Sequence, residues 1–487
     1  MKEYKIMAKQ IASHNIIRIF DFAIMFALLI VLTRFLTKSQ FGIYSILNIT
    51  ILFTVGLFSL GIPSFIMRAL AGIEKKARIR NFNKLFNFYV LYVPLLALVL
   101  SILAWLILTL IGYTDMIIPT ISAFTIAGIG IFIYAIQNNL KTEKKIITSK
   151  IIGSLFEIVW ALPVITLLFL YAANVTDIFL LRFVYSSIIF AAILFYYFRK
   201  KVLFLERIDR RYIKKALVFG VPLSTVMISR WVLTASDRYI LGFFHGAVDV
   251  ANYSYVYTLL GMLGLTASSI GLTIGPYFIS EYNKRNKEKS KFLLNASFKY
   301  QSLILIPAIT GFFILSREII TMVSGVKYLT SAPIIPFLLL FPFLDLMKDI
   351  YVNVHILKNK TKRIAGIYFI GIIINLVLNF VLIPKFSSIG AAIATTVSYL
   401  ILFMFFYIPS RETFRLNHSF VRLPRIILST AVMAFSIIFI HPQTIFTKLA
   451  VICFGAIIYL ISLYLTKVFV KEEIVLIKSF IPNRRKN

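Results

Sequence analysis

Apolar runs long enough to cross a bilayer follow one another along almost the whole chain. They fall at 13–36, 41–68, 84–112, 115–140, 147–172, 176–198, 212–235, 244–279, 292–316, 328–356, 363–384, 388–409, 423–440 and 444–468, with short connectors between most of them. A hydrocarbon layer about 30 Å thick needs roughly 20 helical residues. Inside it every backbone donor and acceptor must be satisfied within the protein, which a helix achieves by itself. The runs therefore predict an all-α, polytopic membrane protein of about fourteen transmembrane helices. Hydrophobic residues are 60% of the 487, and the connectors leave no room for a soluble catalytic domain.

The chain carries 52 Lys and Arg against 19 Asp and Glu, a formal net charge of +33. In a soluble protein that excess would suggest nucleic acid. Here the cations gather in alternate connectors, as in "EKKARIR" at 74–80, "RKKVLFLERIDRRYIKK" at 199–215 and "NKRNKEKSK" at 283–291. The connectors near Tyr113 and Ala173 hold none. This is the positive-inside pattern: it places both termini in the cytoplasm and argues against a nucleic-acid partner. The lone cysteine, Cys453, precludes an intrachain disulfide. The first run is too long and too charged for a cleavable signal and is expected to be the first span. Outer connectors are short and nearly empty of carboxylates and histidines, and no Gly-rich phosphate loop with a following Lys-Ser/Thr occurs. The chain is expected not to be an enzyme and to need no cofactor.

The two halves share features in the same order. "FGIYS" at 41–45 parallels "VANYS" at 250–254, and "LKTEKKIITSKIIG" at 140–153 parallels "LKNKTKRIAGIYFIG" at 357–371. Pro63 and Pro276 close the corresponding spans. The expectation is a parallel repeat: a six-helix bundle at 1–198, a cytoplasmic linker at 199–211, a second six-helix bundle at 212–410, and two further helices with a cytoplasmic tail at 411–487. Such repeats suit a transporter.

"NLVLNFVLIPKFSSIGAAIATTVSYL" at 375–400, "FLTKSQFGIYSI" at 35–46 and "SDRYILGFFHGAVDVANYSYVYTL" at 236–259 carry a family resemblance. They resemble the polysaccharide-repeat-unit (Wzx-type) flippases of the multidrug/oligosaccharidyl-lipid/polysaccharide exporter superfamily. The resemblance covers about 20 to 470. It implies alternating access and a polyprenyl-diphosphate-linked oligosaccharide as substrate, flipped across the plasma membrane. Membrane lipids are expected neighbours, and a polysaccharide polymerase or glycosyltransferases are expected partners. A MATE-like multidrug or organic-cation exporter and a lipid II flippase are the alternatives.

Charge within a span costs at least roughly 2.5–3.5 kcal/mol, so it marks a bundle interior, a water-filled cavity or a function. Arg18 and Asp21 share one face of the first span, since three residues turn about 300°. They form either a cavity wall or a self-neutralised pair near the surface. Arg230 lies deep in "LSTVMISRWVLTASDRYILG", with Asp237 seven residues on. A guanidinium offers paired donors and a permanent charge to phosphate. Arg18, Arg34, Arg230 and Arg238 are the candidate substrate-binding cations, although an Arg230–Asp237 bridge would be purely structural. Asp345, Lys348 and Asp349 leave one carboxylate without its own cation, open to a proton or Na⁺ or to a surface salt bridge. Asp21, Glu157, Asp237, Asp345 and Asp349 are thus the orienting or ion-coupling candidates.

Cysteines placed at Thr114 and at Lys287 in a Cys453→Ser background should react with an impermeant maleimide from opposite faces of the membrane. Labelling of both from one face would overturn the topology.

Overall fold

The computed structural model describes residues 2–110, 114–204, 206–358, 360–411, 415–440 and 442–469. The expected tail from 470 onward and the connector at Tyr113 lie outside them. Helices account for nearly all of the described chain, and ten among the described residues are long and apolar enough to span a membrane. The all-helical polytopic architecture read from the apolar runs is therefore the one observed. The chain divides into two compact units, Met1–Ala251 and Asn252–Asn487.

The first unit holds α1 (Lys2–Phe35), α2 (Lys38–Phe58), α3 (Ile62–Leu70), α4 (Lys75–Leu110), α5 (Ile117–Thr142), α6 (Ile146–Glu157), α7 (Ala161–Leu170), α8 (Val175–Arg199), α9 (Arg210–His245) and the start of α10 (Ala247–Asn283). Its centre is α5, which packs on α2, α3, α4, α6 and α8. Small residues make this possible: Ser122, Ala123, Ala127, Gly128, Gly130 and Ala135 are all buried on it. With lipid outside, helices associate by close van der Waals contact, which small side chains permit.

Two expected spans of the first unit are broken. The run at 41–68 becomes α2 and α3, separated at Leu60 and Gly61, both at positive φ (52° and 63°). Gly61 is conformationally suited to that turn, and it abuts Gly220 of α9 so tightly that a Cβ would lie 2.1 Å from the Gly220 carbonyl oxygen. The run at 147–172 becomes α6 and α7. At that break Trp160 Nε1 donates to the Glu157 carbonyl at 2.8 Å. It thereby satisfies an acceptor at the end of α6.

The linker at 199–211 is fastened to α4. Asn83 donates to the Val202 carbonyl at 2.8 Å and accepts from the Phe204 amide at 2.9 Å. One turn on, Asn87 donates to the Glu206 carbonyl at 3.0 Å. Asp209 caps α9 by accepting from the Tyr212 amide at 3.1 Å and pairs with Lys84 at 3.0 Å. The Lys84 hydrogen bond, then that of the Tyr212 amide, hold the Asp209 carboxyl below its ordinary range. Its stabilising contribution is accordingly present near neutral pH and lost as pH falls through that lowered value.

The second unit continues α10 and adds α11 (Lys287–Ile314), α12 (Ser316–Ser324), a 3-10 segment (Val326–Ile334), α13 (Ile335–Leu338), α14 (Phe341–Leu357), α15 (Thr361–Tyr407), α16 (His418–Val421), α17 (Leu423–Ile438) and α18 (Ile445–Leu465). Pro333, Pro336 and Pro342 break the run expected at 328–356 into these shorter pieces. α15 is two limbs. Its backbone leaves the helical region at Ser387 (φ 50°, ψ −130°). Asn375 bonds Ser398 at 3.2 Å, and Gly371 lies against Leu402. Such pairs meet only if the limbs run antiparallel, as the two runs at 363–384 and 388–409 require. The last two helices pack as a pair against α11, where Tyr459 donates to the Leu303 carbonyl at 2.9 Å.

Large apolar side chains face outward, among them Leu91, Leu95 and Leu98 on α4 and Phe446, Leu460 and Leu465 on α18. A chain in water would bury them; here they form the lipid-facing surface.

Gly61→Val should cost at least about 1–3 kcal/mol, from overpacking against Gly220 and from the left-handed backbone. It should lower the unfolding temperature in detergent. Gly56→Ala, at a position where an added Cβ meets nothing within 4 Å, should leave that temperature unchanged or slightly raised.

Candidate functional site

Each unit carries charge inside its helical packing, and the protein answers each charge differently. In the first unit α1 and α6 pack together. Asp21, 8% exposed, projects from α1 toward two residues one turn apart on α6. Its Oδ2 accepts from Lys150 Nζ at 2.6 Å and from Ser154 Oγ at 2.9 Å. Asp21, expected to orient Arg18, thus bridges α1 to α6. On the same α6, Gly153 lets the Gln137 amide of α5 approach to where a Cβ would stand 2.4 Å from its Nε2. Glu157 follows one turn later, exposed, at the break before α7.

Beyond that break sits Arg182 on α8, only 5% exposed. Its guanidinium stacks 4.0 Å over the Trp160 ring and donates from Nη1 to Asn48 Oδ1 on α2 at 2.9 Å. Its Nε is buried without a hydrogen-bond partner. Among the described residues no carboxylate lies within ion-pair distance of it. A desolvated cation over an aromatic face is worth about 2 kcal/mol, so Trp160 and Asn48 take the place of a counter-ion. Arg182 was recognisable in "IFLLRFVYSS" as a charge in an apolar run, but nothing in that run signals which aromatic would cover it.

Along α9 the residues that follow Arg230 separate into faces. Trp231 donates to the Ile49 carbonyl of α2 at 3.2 Å and packs at a tilt on Phe53 with centroids 4.1 Å apart. Tyr239 is hydrogen-bonded to Thr50, also on α2. Nine residues turn about 180° beyond whole turns, so Arg230 projects from the side of α9 opposite Tyr239, and it is exposed. Asp237 and Arg238 are instead buried, at 1% and 5%. Arg238 lies 3.6 Å from the Asp237 carboxylate and donates to the Thr234 carbonyl at 2.6 Å. Of the four candidate cations, Arg34 and Arg230 are exposed, Arg18 is half-buried and Arg238 is buried. These are the placements on which any anion-binding role must rest.

In the second unit Lys348 of α14 is 2% exposed. It lies 2.8 Å from Asp345 and 3.3 Å from Asp349, with the Tyr368 hydroxyl at 3.5 Å. The rings of Tyr368 and Tyr399, one from each limb of α15, both lie 5.4 Å from its nitrogen. The ammonium faces inward and both carboxylates are half-exposed. Asn375 and Asn379 bond each other at 3.1 Å, and with Ser398 they tie the two limbs of α15. Tyr253 of α10 meets Thr395 at 3.0 Å. These amides and hydroxyls hold helices together.

A family model described as polysaccharide biosynthesis protein matches residues 7–282, and one described as MatE matches residues 222–381. An uncharacterized membrane protein of Methanocaldococcus jannaschii is 27% identical over 223 residues, 46% of this chain and 43% of its own length. The probable low-salt glycan biosynthesis flippase Agl15 of Haloferax volcanii is 25% identical over 171 residues, 34% of each chain. The matched part thus spans less than half the length of these curated relatives. Among solved structures, the lipid II flippase MurJ in its inward closed conformation superposes with a TM-score of 0.75 at 19% identity, over 92% of this chain and 97% of that one. An inward-facing multidrug resistance MATE family transporter of the MOP superfamily follows with a TM-score of 0.59 at 16% identity, over 81% and 95%. At these identities the likeness is one of fold.

Lys150→Met should destabilise by on the order of 2–3 kcal/mol, somewhat under the cost of breaking a fully buried pair. Adding Asp21→Asn should restore most of the loss, because the stranded charge goes with its partner. Thermal unfolding of the four proteins of this cycle measures the coupling; additive losses would show that the bridge contributes nothing of its own.

Proposed function

Because this chain belongs to the polysaccharide biosynthesis protein family, we propose that it is a flippase: it carries a lipid-diphosphate-linked oligosaccharide from the cytoplasmic to the outer leaflet of the plasma membrane by alternating access. One observation carries the reading. Arg230 projects, exposed, from a helix whose opposite side is locked to α2 by Tyr239. A guanidinium so held is preorganised for an anion, since the order of its helix is already secured by packing. A diphosphate cannot cross hydrocarbon with its charge bare. Arg230 supplies two parallel donors to its oxygens, and Arg18 and Arg34 add positive field from α1. Asp237 neutralises Arg238 and so keeps that second guanidinium as scaffold in this conformation. The fold shared with the lipid II flippase MurJ and the similarity to the probable glycan biosynthesis flippase Agl15 support the same class of cargo. A lipid II cargo would use the same chemistry on a different glycan.

A second reading rests on the Lys348 cluster. Two half-exposed carboxylates with one ammonium between them suit an organic cation, as in a multidrug exporter, or a coupling H⁺ or Na⁺.

Arg230→Ala should reduce transport of a polyprenyl-diphosphate oligosaccharide in proteoliposomes by roughly 10- to 100-fold, as expected for loss of hydrogen bonds to a charged group. Membrane insertion should be unchanged. Arg230→Lys should recover only part, because an ammonium lacks the planar fork. Normal transport by Arg230→Ala, or export of organic cations that stops with Asp345→Asn, would replace the first reading by the second.

A further inference from the structure

Between α4 and the first turns of α9 lies a groove of about 290 Å³. Phe88, Ile213, Leu217 and Val218 form its walls, and Arg210 and Lys214 stand at its rim. We propose that this groove binds an anionic membrane phospholipid, with its tails on the apolar walls and its phosphate between the two cations.

Four observations lead there. The groove is almost wholly apolar, and at the depth of a bilayer such a surface is filled by hydrocarbon and not by water. Its walls continue into an exposed apolar track, Leu91 and Leu95 on α4 at 66% and 62%, and Val218 on α9 at 68%. A tail entering the groove therefore has a continuous path along the protein. Arg210 and Lys214 are one turn apart and exposed, and neither makes an ion pair with a described residue. Of the carboxylates nearby, Glu206 and Asp209, the latter is already held by Lys84 at 3.0 Å. Arg207, Arg211 and Lys215 are exposed alongside and add to the positive field. Lastly, Asn83 and Asn87 hold the linker on α4, so the rim is in place before any lipid arrives.

The polar groups at the rim are cations, so the headgroup is selected by charge and not by its hydroxyls. This favours a resident phospholipid over the glycan-bearing substrate. The site belongs to the first unit alone and is argued without reference to Arg230, so the transport reading and this one can fail separately.

Native mass spectrometry of the full-length detergent-solubilised protein, titrated with dioleoylphosphatidylglycerol or dioleoylphosphatidylcholine, tests it. Phosphatidylglycerol should bind clearly more tightly. Arg210→Gln with Lys214→Gln should weaken phosphatidylglycerol about thirty-fold, the effect of two interfacial cations, and leave phosphatidylcholine unchanged. Added salt should mimic that loss in the unmutated protein. Val218→Trp, which fills the groove and keeps both cations, should weaken phosphatidylglycerol too. Equal binding of the two lipids, or full phosphatidylglycerol binding by the double variant, would overturn the site. Displacement of phosphatidylglycerol by equimolar undecaprenyl phosphate would reassign the groove to substrate loading and overturn the resident-lipid proposal.

Discussion

Hydrocarbon cannot solvate charge, and most of the polar architecture of this protein answers that one constraint. Asp21 is tolerated on α1 because Lys150 and Ser154 reach it from α6. Arg182 is tolerated on α8 because Trp160 lies beneath it and Asn48 accepts from it. Lys348 is tolerated on α14 because two carboxylates and two tyrosines surround it. Each solution joins separate helices. Each therefore also sets how those helices are rotated and stepped against one another, something non-directional apolar packing specifies weakly in lipid.

The same constraint governs where the helices break. An interrupted helix leaves carbonyls and amides without partners, and these must be recovered locally. At Gly61 the turn is admitted by a residue with no side chain, pressed against another glycine. At Glu157–Trp160 an indole N–H reaches back to the open carbonyl. At Ser387 the two limbs of α15 close against each other through Asn375, Asn379 and Ser398. Breaks of this kind put polar backbone and charged side chains at the same depth. Glu157 and Arg182 both lie near one. Irregular backbone at membrane depth belongs where protein or water surrounds it, and transporters use such places for their cargo and ions.

Against this background Arg230 stands apart. Asp21, Arg182, Arg238 and Lys348 are buried. Arg230 is exposed, on a helix fixed from its far side. The linker that leads into that helix is fastened to α4 by two asparagines and an ion pair, so the start of α9 is as firmly held as its middle. A cation displayed by a rigid helix is the arrangement an anionic cargo requires. The basic rim at the start of the same helix is where we propose that a phospholipid phosphate binds.

The amino-acid sequence alone determined the class of the fold, because run length against bilayer thickness leaves few choices. It determined which residues are costly where they stand, Arg18, Asp21, Glu157, Arg182, Arg230 and Lys348 among them, because a charge in an apolar run is visible without coordinates. It also showed that one lysine serves two aspartates, since i, i+3 and i+4 share a helix face. It did not reveal the partners. Lys150, Trp160 and Asn48 lie on other helices, and hydrophobic patterning carries no record of which helix meets which. Nor did it reveal that Arg230 and Arg238 differ in burial: they lie eight residues apart, and only the packing of Trp231 and Tyr239 on α2 turned one outward and buried the other beside Asp237. Local chemistry is written along the chain, but burial is a property of neighbours, and neighbours exist only once the helices have packed.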